Sequence, residues 1–156
     1  MSEQLHPASE QILQRLRRER INSLYHFTCV ENLPCIRQAG ALCSKDKLEK
    51  LGLWPCPDPG GNETSHNLDK HHDNWDKLAL NFTAHTPMAY WKKQAKHLCF
   101  FSISTKAAAL DRVLFTDTNA TSTIEPHKRL PGLDGLNLVN FSAIRATPAP
   151  GDRTGW

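Results

Sequence analysis

Residues 24–42 read LYHFTCVENLPCIRQAGAL, and the fold class follows from how this stretch divides. Leu24-Tyr25-His26-Phe27-Thr28 is short and rich in strand formers, which suit a pleated, buried strand. Val30 to Ala39 then changes period, with Leu33 and Ile36 three apart as on one helix face. Pro34 fits only the first turn of such a helix, where its missing N–H costs nothing. Gly40 suits a left-handed stop, and Ala41-Leu42-Cys43 reads as a further short strand.

Towards the N-terminus, Ser9 suits a cap, and Ile12, Leu13, Leu16 and Ile21 mark one helix face that ends near Asn22-Ser23. Towards the C-terminus the character changes. Trp54 to Asp76 carries three prolines, two glycines and many polar residues. It reads as a long loop with a short helix near Leu68, either a lid over a pocket or plain disorder, because loops longer than about 12–15 residues inside a domain are usually functional or mobile. Leu78 to Thr83 is the next expected strand. Thr86 caps a short helix with Pro87 at its first position, and His97 to Ser104 is a strongly apolar strand. A turn at Ala107–Leu110 and a strand at Val113–Thr116 follow. Asp117 to Ala120 breaks that strand, Asn119 suiting the cap of a following helix. Leu136 to Ile144 suits a short strand or helix, and the tail is rich in Pro and Gly. Strands do not alternate regularly with long helices, so the class is mixed α+β rather than a doubly wound parallel sheet.

The chain has 156 residues, 39% of them hydrophobic and 22% charged, enough for the core of one domain. The first residues are polar and basic, with neither the apolar stretch of a secretion signal nor a membrane span. A soluble, cytoplasmic protein is the expectation. A net charge of +3 permits a nucleic-acid partner without requiring one. Arg15, Arg17, Arg18 and Arg20, diluted by Glu10 and Glu19, read as a solvated helix face. The five cysteines are odd in number and lack CxxC spacing, as expected of reduced thiols. His66, His71 and His72 with Asp69 and Asp73 have no second ligand pair at structural-zinc spacing, so no metal is expected. Phosphate-loop, dinucleotide-loop, zinc-protease and serine-hydrolase signatures are absent.

Three stretches together resemble the DarT-type DNA ADP-ribosyltransferases. The first is Leu24 to Thr28 with the Asn32-Leu33-Pro34-Cys35-Ile36 helix and the Gly40-Ala41-Leu42 turn. The second is Leu80-Asn81-Phe82-Thr83 leading to Pro87-Met88-Ala89-Tyr90. The third is Phe115-Thr116-Asp117-Thr118-Asn119-Ala120. Their order and spacing agree with the family over about residues 24–145, so residues 1–23 are expected to be a helical extension and 24–156 the domain. The resemblance implies a split pair of small mixed or antiparallel sheets with flanking short helices, holding NAD as co-substrate. It also implies transfer of ADP-ribose to a base, typically thymine, in single-stranded DNA, with RNA as the other candidate target. Family members are toxins, often paired with an antitoxin protein.

The chemistry requires that NAD be held still while positive charge builds on the ribose. On the resemblance, His26 hydrogen-bonds a ribose hydroxyl, and Phe27 and Thr28 offer backbone groups and a hydroxyl to the nicotinamide amide. Ile36 and Ser44 line the far wall. Phe82 and Tyr90 stack on nicotinamide or on the target base. Two departures stand against these matches. The family carries a catalytic arginine before the Pro-Met segment, whereas residues 54–77 contain none. His66 lies near that place and could act as a base, although it cannot make arginine's planar bidentate contact. The family's catalytic glutamate lies on a strand after the segment matching residues 136–145, and Glu125 comes too early to be it. The expectation is therefore a fragment or degenerate copy. The alternative is a catalytically inactive relative that binds NAD or nucleic acid.

Overall fold

The structure, a computed structural model, describes residues 4–118 and 128–146. Asn119, Glu125 and the tail from residue 147 lie outside them. In chain order the elements are α1 (Ser9–Arg18), β1 (Ser23–Cys29), α2 (Leu33–Ala39), α3 (Lys45–Lys50), α4 (Glu63–His71), α5 (Pro87–Lys92), β2 (Leu98–Ser104), β3 (Leu114–Thr116), β4 (Arg129–Pro131), α6 (Gly132–Leu138) and α7 (Phe141–Arg145). Single 3-10 turns occupy Val30–Asn32 and Thr105–Ala109. Among the described residues, helices and two small two-stranded sheets, β1-β2 and β3-β4, make an α+β fold. The chain forms two compact units, one of Met1–Leu24 with Ser102–Trp156, the other Tyr25–Phe101.

In the first unit, α1 buries Ile12 and Leu16 and leaves its arginines outward, apart from Arg15, which pairs with Glu19 at 3.0 Å. The helix stops at Arg18, earlier than expected. Arg20 takes the left-handed conformation (φ 60°), Ile21 N–H bonds the Leu16 carbonyl and Arg20 N–H bonds the Arg17 carbonyl. That is the paired closing bond of a Schellman motif, built here without glycine. Ser9 is not the cap. Ala8 holds that position, and its N–H donates to His6 Nδ1 at 3.0 Å. Ile21, Leu24, Ala108, Ala109, Phe115, Leu136, Val139 and Phe141 are the other buried apolar residues described in this unit. The segment 136–144 resolves into helices α6 and α7, and β4 pairs with β3 in antiparallel register, Phe115 opposite Leu130.

In the second unit, β1 is hydrogen-bonded along both edges. Val30 N–H bonds the His97 carbonyl (3.0 Å) and Cys99 Sγ approaches the Thr28 carbonyl (3.6 Å), so β2 runs antiparallel to β1. On the other edge Tyr25 and Asn81 exchange two bonds of 2.7 and 2.8 Å. The strand expected at 78–83 is reduced to this single bridge. The next ladder bond would use the Ala79 carbonyl, and that oxygen accepts instead from the His26 ring at 3.0 Å.

The segment after β1 forms a 3-10 turn and then α2, with Pro34 in its first turn and Gly40 left-handed (φ 72°). Ala41 to Cys43 form no strand. Ser44 opens α3 immediately afterwards, leaving too little chain for a ladder. Thr86 caps α5 as expected, its hydroxyl accepting from Ala89 N–H at 3.2 Å. The Trp54–Asp76 stretch holds α4, capped by Asn62.

Candidate functional site

His26 sits in the middle of β1, half-buried. A carbonyl oxygen can only accept, so the 3.0 Å contact with Ala79 places the proton on Nδ1. The neutral ring therefore presents Nε2 as an acceptor. Burial holds the imidazole's pKa below its ordinary value of 6.5, more strongly than the Ala79 bond raises it. The ring is thus a neutral acceptor at pH 7.

This linkage has a measurable sign. Well above pH 6.5 the residue is neutral folded and unfolded and adds no pH dependence. As pH falls below that value the unfolded chain takes up a proton that the folded chain resists, so stability falls until the folded pKa is passed. His26→Asn retains a donor towards Ala79 and cannot titrate. Urea unfolding at pH 7.5 and 5.5 is expected to show a smaller acid loss in this variant than in the wild type.

Phe27 lies against Phe100, ring centroids 6.0 Å apart. The Thr28 hydroxyl accepts from Asn32 Nδ2 at 2.9 Å. Phe82 is half-buried one residue beyond Asn81, the partner of Tyr25. His26, Phe27, Thr28 and the 79–82 segment are thus gathered on one short ladder. The other expected residues lie elsewhere in the unit. Ile36 is half-buried on α2, and the Ser44 hydroxyl caps α3, accepting from Lys47 N–H at 3.3 Å. Tyr90 is exposed on α5 against Trp91. His66 is on α4, where its Nε2 donates to the Gly60 carbonyl (2.8 Å), and its ring packs edge-on to Trp54 and Trp75. In its neutral form Nδ1 is then the basic atom.

A polar knot that the sequence did not reveal fixes the loop before α4. Asn32 is only 5% exposed. Its Nδ2 donates to the Thr28 hydroxyl and to the Asp58 carbonyl (2.6 Å), and its Oδ1 accepts from Asp58 N–H (2.9 Å). The Asp58 carboxylate meets Lys96 at 2.8 Å and Lys92 at 3.8 Å, and the Lys96 contact leads in lowering its pKa. Cys29 Sγ and Glu31 complete a group whose ligand atoms lie within 4.8 Å of one another. Lys92 and Lys96 already supply the counter-charge there, which disfavours a cation. Cys35 and Cys56 add a second tie, their sulfurs 3.3 Å apart. Burial and the neighbouring thiol push Cys56 up to about 12, so it stays protonated. No spacing rule links Asn32 to Asp58. The one signal was a buried-type position in an amphipathic turn held by an amide.

Among the described residues no helix is long and apolar enough to cross a membrane. Neither a curated protein nor a solved structure matches the chain. A family model does, over residues 25–153, a span that contains the β1 ladder, the Asn32 knot and α5. The chain therefore belongs to the family described as ssDNA thymidine ADP-ribosyltransferase, DarT.

Proposed function

We propose that this chain binds NAD along the β1 ladder and transfers ADP-ribose to thymine in single-stranded DNA. The observation that carries the reading is a neutral His26 with an accepting Nε2, set on the strand through which the family motif runs. Nε2 accepts from a ribose hydroxyl and fixes the sugar while the nicotinamide bond lengthens. Phe27 and Thr28 carry the backbone groups that meet the nicotinamide amide. Phe82 stacks on the nicotinamide or on the target base. Ile36 and the Ser44 turn form the far wall, and His66 Nδ1 accepts the proton lost by the attacking base. The reading includes a cytoplasmic toxin opposed by an antitoxin that removes the modification.

The test is incubation with adenylate-labelled NAD and single-stranded DNA with and without thymine. The wild type is expected to label only the thymine-containing strand. His26→Ala is expected to slow labelling about tenfold, the order expected for one lost hydrogen bond. The lack of an arginine in residues 54–77 favours a second reading, a relative that binds NAD or nucleic acid without transfer. Saturable NAD binding with no label on either strand supports that second reading and overturns the first.

A further inference from the structure

Residues Lys77 to Leu110 carry five lysines, two histidines and no carboxylate. Within this stretch α5 turns Ala89 inward and leaves Met88, Tyr90 and Trp91 at 54%, 43% and 61% exposure. Trp91 is among the largest side chains in the protein, and a single soluble unit gains nothing by leaving three such groups in water. They are also organised. Trp91 and Tyr90 meet edge to face at 5.5 Å, which fixes the indole's orientation. Lys93 Nζ lies 4.8 Å from the Tyr90 ring centroid. Lys92 and Lys96 follow on the same segment and meet the Asp58 carboxylate, with Glu31 beside it, so with Lys93 three lysines face two carboxylates and the patch keeps net positive charge.

We propose that this face of α5 and the turn after it hold single-stranded DNA, one base stacked on Trp91 and the neighbouring phosphates on Lys93 and Lys96. The proposal rests on the family reading for the identity of the strand, and deepens it by assigning residues outside the β1 ladder. An aromatic plate beside lysines suits a flexible strand, because every base offers a π-face and every linkage one negative charge. A protein partner for three exposed apolar groups would want acidic or apolar complementarity, with the lysines adding nothing in the latter case. A duplex keeps its bases stacked internally and has none to lay on Trp91. Tyr90 braces the plate from the edge. Trp91 and Lys93 follow the Pro87-Met88-Ala89-Tyr90 motif and form no part of it.

The test is fluorescence anisotropy with a labelled ten-nucleotide thymidine strand over a range of salt. The wild type is expected to bind with a clear salt slope. Trp91→Ala is expected to weaken binding about tenfold and Trp91→Phe much less, since stacking needs a ring and not an indole. Lys93→Gln is expected to flatten the plot of log K against log salt by about 0.7, one phosphate contact on a single strand. Binding by Trp91→Ala equal to that of wild type, with an unchanged circular dichroism spectrum, overturns the platform and leaves the family reading intact. No binding of any strand by the wild type overturns both. A Trp91→Ala effect on sedimentation but not on DNA affinity makes the patch a self-association face and likewise overturns the proposal.

Discussion

Gly135→Ala is expected to destabilise the first unit by about 3 kcal/mol, at the upper end of overpacking costs. The usual expectation has the opposite sign, because replacing glycine within a helix gains about 1 kcal/mol. The geometry decides the matter. A Cβ at Gly135 would fall onto the Leu130 carbonyl oxygen, 2.6 Å from its carbon and 3.2 Å from Phe115 Cβ. Two of these neighbours are backbone, and Leu130 is held by its pairing with Phe115. They cannot swing aside as a flexible side chain would, so α6 must lift off the β3-β4 pair. Leu136, wholly buried on the same helix, would lose its packing with it. At roughly 2–4 °C per kcal/mol for a chain of this size, the melting temperature should fall by about 10 °C. Gly60 is the control, since a methyl group added there would meet no atom within 4 Å and its φ is not positive. Gly60→Ala should leave melting unchanged or slightly raised. A Gly135→Ala protein that melts with the wild type would mean that α6 does not pack on β4 in this way.

Asn32→Ala is the second large effect, also about 3 kcal/mol, since it strips partners from three polar groups that each cost about 1–3 kcal/mol when left unpaired. Those groups are the Thr28 hydroxyl and both backbone groups of Asp58. Water entering the gap would recover part of the cost, which keeps the figure below the sum. The effect is local as well as global. The backbone of Asp58 is tied to the β1–α2 corner through this amide, and the Cys35–Cys56 contact lies before residue 57, so amide exchange at residues 57–61 should speed up before the strands open. Lys92 and Lys96 would remain on the Asp58 carboxylate and could not restore the backbone bonds. Exchange at 57–61 that rises no faster than in β1 would show that the loop is held by something other than Asn32.

Local rules carried a large part of the fold. Pro34 and Gly40 bracket α2, and Thr86-Pro87 opens α5, because these depend on φ and on a hydroxyl within three residues. The apolar run 98–104 became β2, and β3 stands where Val113 to Thr116 was read as a strand. Two readings failed for reasons that span the chain. The 78–83 strand lost its ladder because a ring fifty-three residues away took the Ala79 carbonyl. Ala8 stands at the cap in place of Ser9, its N–H held by His6 Nδ1, and the His6 backbone is itself tied to Ala109.

The sequence by itself determined the α+β class, the helix limits set by Pro34, Gly40 and Pro87, and the motifs that place the chain in its family. These are statements about neighbours, and neighbours are what a sequence records. Only the tertiary structure decided which atom of His26 carries its proton, which loop Asn32 holds, and which aromatic side chains of residues 82–91 stay in water. Each depends on a partner far along the chain. A hydrogen bond or a burial is a relation between two places, and the second place exists only once the chain has closed on itself.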